Sequence, residues 1–353
     1  MSIYWSNVVK NINPYIPGEQ PKDRKYIKLN TNENPYPPSE RVIQAMKDAA
    51  NSDIRLYPDP ECYELREVIA SYFNLNIENV YAGNGSDELL AFSFLAFFNP
   101  DRPILFPDVT YTFYPVYADL FNIKYETVRL DEEFSIPVEL FFRENGGIIF
   151  PNPNAPTGKD ISIESIKKIL DYNKNVVVII DEAYVDFGAE STVELIKNYP
   201  NLLIIRTFSK SHSLAGLRIG FALGNEELIQ GLSRIKNSIN SYTIDRIAMA
   251  GAMEAIKDYE YFKSTSRKII NTRERIIVKL KELGFNVVDS KANFVFISHP
   301  VIPAVDIFNK LKERGILVRY FNKPRIDNYL RVTIGTDEQM DCFLEEVKNI
   351  TVI

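Results

Sequence analysis

The sequence predicts an α/β fold, with a mostly parallel central sheet flanked by helices and a smaller α+β C-terminal domain. Short apolar runs alternate with helix-patterned segments between about residues 39 and 245, as in a parallel sheet covered on both faces. Near Tyr259 the pattern changes to one long amphipathic stretch, followed by strands and helices in a different order. A chain of 353 residues also exceeds what one hydrophobic core commonly supports.

Residues 1–38 read as an extended arm, rich in Asn and Pro and ending in Asn32-Glu-Asn-Pro-Tyr-Pro-Pro38, where prolines deny regular helix or central strand. The large domain, 39–245, has strands expected around Val80 and at Ile104–Phe106, Ile123–Val128, Ile148–Phe150, Val176–Asp181, Leu202–Thr207 and Ile219–Ala222. The small domain, 246–353, is joined by the arm. In it Phe262, Ile269, Ile270, Ile276, Ile277, Leu280 and Leu283 recur at helical spacing, and Gly284 stops the helix. Phe285–Val288, Phe294–Ile297, Leu317–Arg319 and Leu330–Ile334 read as strands, and Val305–Arg314 and Asp337–Asn349 as helices. In the last strand Arg331 and Thr333 face away from the apolar residues, so a solvated outward Arg331 is the default expectation.

Composition excludes several classes. Apolar residues make up 45% and charged residues 25%, as in soluble globular proteins. The net charge of −6, without a basic stripe, argues against nucleic acid or an anionic membrane surface as partner. The longest apolar run, Leu89–Phe98, is interrupted by Ser93 and falls far short of the ~20 residues of a membrane span. The first residues lack a secretory pattern, and Cys62 and Cys342 stand without metal-ligand spacing, so a cytoplasmic, metal-free protein is expected.

Chemistry gathers at three places. The run Asn201–Lys210 brings Thr207, Ser209 and Lys210 to one strand end, and Arg218 follows. A neutral lysine amine condenses with an aldehyde, while hydroxyls and a guanidinium hold a phosphate dianion. The cofactor that combines aldehyde and phosphate is pyridoxal 5'-phosphate. Alone, a Lys after a strand is a solvated loop residue. A second constellation changes that balance: Val176-Val-Val-Ile-Ile180 runs into Asp181-Glu-Ala-Tyr184. Asp181 then sits at the carboxyl end of a strand buried on both faces, where open α/β sheets bind ligands. An acid there can pair with a pyridinium nitrogen, and Tyr184 can hydrogen-bond the ring hydroxyl. The bland alternative is that Asp181 ends a strand or caps a helix. Third, Gly83-Asn-Gly-Ser-Asp-Glu88 precedes a helical segment, and Ser86 and Asp87 would present free amides to a phosphate. A dinucleotide fingerprint is the rival reading, but Glu88 occupies the place of its third glycine.

With these runs, and with Pro153-Asn-Ala-Pro-Thr-Gly158, in this order and spacing, the chain resembles the fold-type-I pyridoxal-phosphate aminotransferases. Within them it is most similar to the histidinol-phosphate aminotransferases, through Leu29-Asn-Thr-Asn-Glu-Asn-Pro35, Arg55-Leu-Tyr-Pro58, Leu214-Ala-Gly-Leu-Arg218 and Leu330-Arg-Val-Thr-Ile-Gly335. The resemblance implies Lys210 as the cofactor lysine, Asp181 as the pyridinium partner and Tyr184 at the ring hydroxyl. It places Tyr111 on the ring face and Ser86, Asp87, Thr207, Ser209 and Arg218 around the phosphate. Tyr57 would reach that phosphate from a neighbouring subunit, which implies a homodimer with its site at the interface. Tyr15, Arg319 and Arg331 would hold the substrates' anionic groups. The implied reaction is a ping-pong exchange between glutamate/2-oxoglutarate and histidinol phosphate/imidazole-acetol phosphate, in histidine biosynthesis. A decarboxylase of threonine phosphate or a related phospho-amino acid, and an aromatic amino acid aminotransferase, use the same cofactor residues and stay open. Many relatives place Asn directly before the Pro-Thr-Gly; here that residue is Ala155, and the role is assigned to Asn154. His212, near the lysine, is expected to be structural.

Overall fold

The computed structural model describes residues 2–351. A short helix α1 (Asn7–Asn11) and strand β1 (Ile27–Lys28) lie in the arm, followed by α2 (Glu40–Ala49) and α3 (Tyr63–Phe73). Helix α1 forms despite the proline-rich context because it ends before Pro14, and Ser6 Oγ caps it by accepting from Val9 N–H. Next come β2 (Val80–Gly83), α4 (Gly85–Phe97), β3 (Ile104–Pro107), α5 (Phe113–Leu120), β4 (Tyr125–Val128) and β5 (Ile148–Pro151). Then follow α6 (Ile163–Tyr172), β6 (Val178–Asp181), β7 (Leu202–Thr207), β8 (Gly220–Gly224), α7 (Glu226–Ile239) and α8 (Arg246–Lys257).

Seven strands form one sheet of order β2-β8-β7-β6-β5-β3-β4, in which β8 is antiparallel to both neighbours and the other pairings are parallel. Alternate side chains go to opposite faces. Ile148, Phe150, Val178, Ile180, Leu202 and Ile204 join one apolar cluster, and Ile149, Ile179, Leu203 and Ile205 join another across the sheet. Full burial of each such side chain contributes about 1.5–3 kcal/mol, which is why these runs are apolar throughout. Two strands start later than their apolar runs. Val176 N–H is taken by Asn173 O in a turn, and Ile123 N–H by Ala118 O at the end of α5, leaving neither free for the ladder.

The stretch beyond Tyr259 is helix α9 (Tyr259–Glu282). It leads into β9 (Asn286–Val288), β10 (Phe294–Ser298), α10 (Ala304–Glu313), β11 (Ile316–Leu317), β12 (Arg319–Tyr320), β13 (Leu330–Thr333) and α11 (Asp337–Thr351). The antiparallel sheet β12-β13-β10-β9 packs its own core, with Ile276, Phe294, Leu311, Val332 and Phe343. Helix α8, which falls within the expected 246–353 unit, packs on α2 and α3, and its Ala248, Ala252 and Ala255 belong to a large-sheet cluster. Among the described residues no helix is long and apolar enough to cross a membrane.

Two features position the site. The sheet register aligns Pro151 with Asp181, Asp181 with Ile205, and both Thr207 and Gly83 with Gly220, so the chain leaves several strands at one edge. The arm is pinned to the second unit: β1 pairs with β11, Leu29 N–H reaches Leu317 O at 2.8 Å, and Thr333 N–H reaches Leu29 O at 2.9 Å. That delivers Thr31 and Asn32 to the same edge.

Candidate active site

The cleft at this edge is lined by the arm, the start of α4, the ends of β6 and β7, and Arg319 and Arg331 of the second unit. Lys210 follows the end of β7, and its Nζ donates to Thr31 O at 3.2 Å while lying 5.9 Å from the Tyr184 ring centre. Burial, reinforced by the Arg331 charge, lowers its pKa to about 8. A sizeable neutral fraction therefore exists near neutral pH.

Asp181, only 5% exposed, accepts from Ala183 N–H at 3.1 Å and from the Tyr114 hydroxyl at 3.2 Å. Burial outweighs both bonds and raises its pKa to about 7. A cationic partner is what this carboxylate lacks. The Tyr184 hydroxyl accepts from Asn32 Nδ2 at 2.9 Å, and burial raises its pKa.

The phosphate end is built on close backbone approach. Helix α4 begins without a capping side-chain hydrogen bond, at Gly85, whose φ is +79°. A Cβ there would lie 2.9 Å from Arg218 Nη2, and one on Gly220 would lie 2.7 Å from Ser86 N. Arg218 donates to Asp87 at 3.1 Å and lies 3.5 Å from Ser209 Oγ, while Thr207 Oγ1 accepts from Ser209 N–H. The Tyr111 hydroxyl holds the other Asp87 oxygen at 2.8 Å. Uncapped helix amides, two hydroxyls and a guanidinium fit a phosphate dianion, and Lys210 and Asp181 fit the aldehyde and ring nitrogen of pyridoxal phosphate.

At the opposite end Arg331 is not the solvated residue that strand alternation suggested. The arm covers that face: Nη2 donates to Asn30 O at 3.1 Å, and the guanidinium carbon lies 5.3 Å from the Phe294 ring centre. Its buried Nε has no hydrogen-bond partner among the described residues. Arg319 donates to Ile16 O and Pro17 O at 3.0 and 3.2 Å, and Tyr15 stacks on Phe113 at 4.3 Å.

Residues 24–347 match the family model for aminotransferase class I and II. The chain belongs to that family. It is 60% identical over 348 residues to a histidinol-phosphate aminotransferase of Clostridium acetobutylicum, covering 99% of each chain. The same identity holds over 350 residues with the enzyme of that name from Clostridium botulinum, again covering 99% of each. Among solved structures, histidinol-phosphate aminotransferase from Sinorhizobium meliloti in complex with pyridoxal-5'-phosphate superposes with a TM-score of 0.89 at 23% identity, covering 99% of this chain and 98% of that one. A Clostridium acetobutylicum histidinol-phosphate aminotransferase superposes with a TM-score of 0.84 at 26% identity, covering 92% and 99%. The chain is thus a fold-type-I aminotransferase.

Of the residues given site roles in the sequence, this aminotransferase brings all but Asn154 and Tyr57 to the cleft. Asn154 is 1% exposed and fully engaged: Oδ1 accepts from Thr110, and Nδ2 donates to Val109 O and Thr157 Oγ1. It braces the Val109–Tyr111 turn, and Ala155 takes the place on the cleft wall. Tyr57 is 77% exposed, stacked on Tyr242 at 4.5 Å. His212 stacks on Phe262 at 4.4 Å, outside the cleft lining. The motifs in the sequence assign no role to Asn30, Thr31 and Asn32, nor to Tyr114, which holds Asp181. The signal was the concentration of Asn in an otherwise proline-rich arm.

Proposed function

We propose that this aminotransferase interconverts histidinol phosphate plus 2-oxoglutarate with imidazole-acetol phosphate plus glutamate, using pyridoxal 5'-phosphate, in histidine biosynthesis. The observation that carries the proposal is 60% identity, end to end, to curated enzymes of that name.

Bound in the cleft, pyridoxal phosphate would act as an electron sink for the carbon that carries the exchanged amino group. Lys210 would hold the aldehyde carbon, and its amine is placed to take and return a proton at the substrate carbon; positioned acid–base catalysis of this kind contributes about 10²- to 10⁴-fold. Asp181 would keep the ring nitrogen protonated. Tyr184, oriented by Asn32, would hydrogen-bond the ring oxygen, and Tyr111 would cover the ring face. Ser86, Asp87, Thr207, Ser209 and Arg218 form the phosphate seat. One site must accept glutamate, with two carboxylates, and histidinol phosphate, with a phosphate and none. Arg331 and Arg319 suit that demand because a guanidinium pairs bidentately with either group.

A homodimer completes this reading, with Tyr57 entering the neighbouring site. It is supported by the exposed apolar residues Ile54, Leu56 and Tyr57 and by exposed Tyr242, which stacks on Tyr57. The working location is the cytoplasm. The test is spectroscopic: glutamate should bleach the cofactor absorbance of the loaded enzyme, and imidazole-acetol phosphate should restore it. Carbon dioxide release from threonine phosphate, without bleaching by glutamate, would replace this proposal with the decarboxylase.

A further inference from the structure

Behind the cleft lies a buried ionic group that no step above uses. Thr207 lines the cleft, whereas Arg206, one residue earlier on β7, turns to the opposite face and is 6% exposed. Its guanidinium pairs with Asp186 and lies 4.0 Å from Glu182, and it covers the Phe73 ring at 5.2 Å. Glu182 accepts from Thr192 N–H at 2.6 Å, Thr192 Oγ1 at 2.7 Å and Ser191 Oγ at 2.7 Å. Asp186 accepts from Ser211 Oγ at 2.6 Å. Its three charged members and Ser211 are each near neighbours in sequence of a cleft residue. Glu182 follows Asp181, Asp186 comes two after Tyr184, and Ser211 follows Lys210.

We propose that Arg206, Asp186 and Glu182 are positioning residues, an ionic clamp that fixes the Lys210 turn against the segment carrying Asp181 and Tyr184. The clamp reaches the lysine turn from behind, through the Ser211 hydroxyl. From the front, Asn34 Nδ2 donates to the carbonyls of Lys210 and Ser211 at 3.1 Å each. Stability alone does not account for such a cluster, since buried ion pairs are often replaceable by apolar packing without loss. What a charge pair adds is a fixed geometry between two strand ends. The charges that face the Lys210 amine are Arg331, Asp87, Glu33 and Arg218, none of them in the clamp, so the clamp acts on that amine by setting its depth.

This inference rests on the role given to Lys210 above. The test uses two variants, Ser211→Ala, which strands no buried charge, and Asp186→Asn. Competitive labelling of amines in the cofactor-free protein across pH reads the Lys210 titration directly. A loosened turn lets water reach the amine, so its pKa should rise by about half a unit or more in each variant. In the loaded enzyme kcat should fall about 10-fold with the KM for glutamate within about twofold, as expected of misplacement rather than lost binding, and Ser211→Thr should restore both. If Asp186→Asn does not fold, Ser211→Ala decides alone. Variants that melt at lower temperature but titrate like wild type overturn the clamp. Borohydride reduction of the loaded wild type keeps the two ideas apart: label away from Lys210 removes the functional assignment, whereas label on Lys210 with an unmoved titration removes only the clamp.

Discussion

Asp181→Asn should stabilise the cofactor-free protein while disabling the loaded enzyme. In the cofactor-free cleft the carboxyl is buried with two neutral donors and no cation, and its pKa rises from 3.8 to about 7. A rise of that size corresponds to about 4 kcal/mol, an upper bound for the cost of keeping the group ionised. The sign follows from proton linkage. A carboxyl with a folded pKa above its unfolded value binds its proton more tightly when folded, so its contribution to stability declines as pH rises from about 4 to about 7 and stays low beyond. An amide of the same shape does not titrate: it can keep the Ala183 N–H bond, and the Tyr114 hydroxyl can turn to accept from its NH₂.

Urea unfolding of cofactor-free wild type and variant at pH 5 and pH 8, at one protein concentration, measures this directly. The variant should gain about 1–3 kcal/mol on wild type between those two pH values. With cofactor bound the order should reverse. Removing one partner of a buried charge pair costs about 3–5 kcal/mol, or roughly 10²- to 10⁴-fold in the single-turnover reaction with glutamate. Unfolding free energies that run parallel from pH 5 to pH 8 would refute the claim that Asp181 is a carboxylate waiting for a cation. The depressed Lys210 does not blur the result, because its own contribution changes above about pH 8.

Other outcomes follow from the same geometry. Lys210→Ala should lose at least about 10⁴-fold in steady-state turnover, measured with histidinol phosphate, because the proton carrier and the cofactor attachment go together. Arg331→Lys replaces a fork by a point charge and should raise the KM of both glutamate and histidinol phosphate about 10-fold or more; unchanged KM values would move the anion site elsewhere. Asn32→Ala removes the donor to the Tyr184 hydroxyl, and a pH titration of the loaded enzyme's absorbance should shift, with kcat falling about 10-fold; an unchanged titration would make Asn32 structural only.

The central sheet was legible because burial on both faces leaves a signature of consecutive apolar residues, as in Ile148–Phe150 and Leu202–Ile205. The site edge was legible for a related reason, since Asp181 and Thr207 are polar residues that close such runs, as expected where strands end, although Arg206 before Thr207 is buried within its strand. What could not be read was set by contacts distant in sequence. Strand alternation assigned Arg331 to solvent, and nothing local announces that the arm covers that face. Asn154 was assigned a ring contact from its place before Ala155, yet two of its three partners, Thr110 and Val109, lie on a turn far away in sequence whose course depends on the tertiary fold. Helix α8 carries the same helical periodicity whichever elements it meets, and its packing on α2 and α3 is a contact distant in sequence.

Burial depresses the lysine and raises the carboxyl in one cleft, so both groups are driven towards their neutral forms while the site is without a cation at Asp181. On the proposed roles, neutrality is what Lys210 would need in order to attack an aldehyde, and it is the opposite of what Asp181 would need in order to polarise a ring. A protonated ring nitrogen would resolve the conflict on one side only, restoring the carboxylate and leaving the amine undisturbed. A phosphate at the other end would meet Arg218, whose charge is shared with Asp87. The cofactor would therefore satisfy charges at both ends of the cleft that the folded chain cannot satisfy itself, and binding should raise folding stability by linkage. The arm belongs to that same arrangement: Thr31 O holds the amine and Asn32 holds Tyr184, so residues far from the sheet in sequence govern how the cleft presents its two central groups.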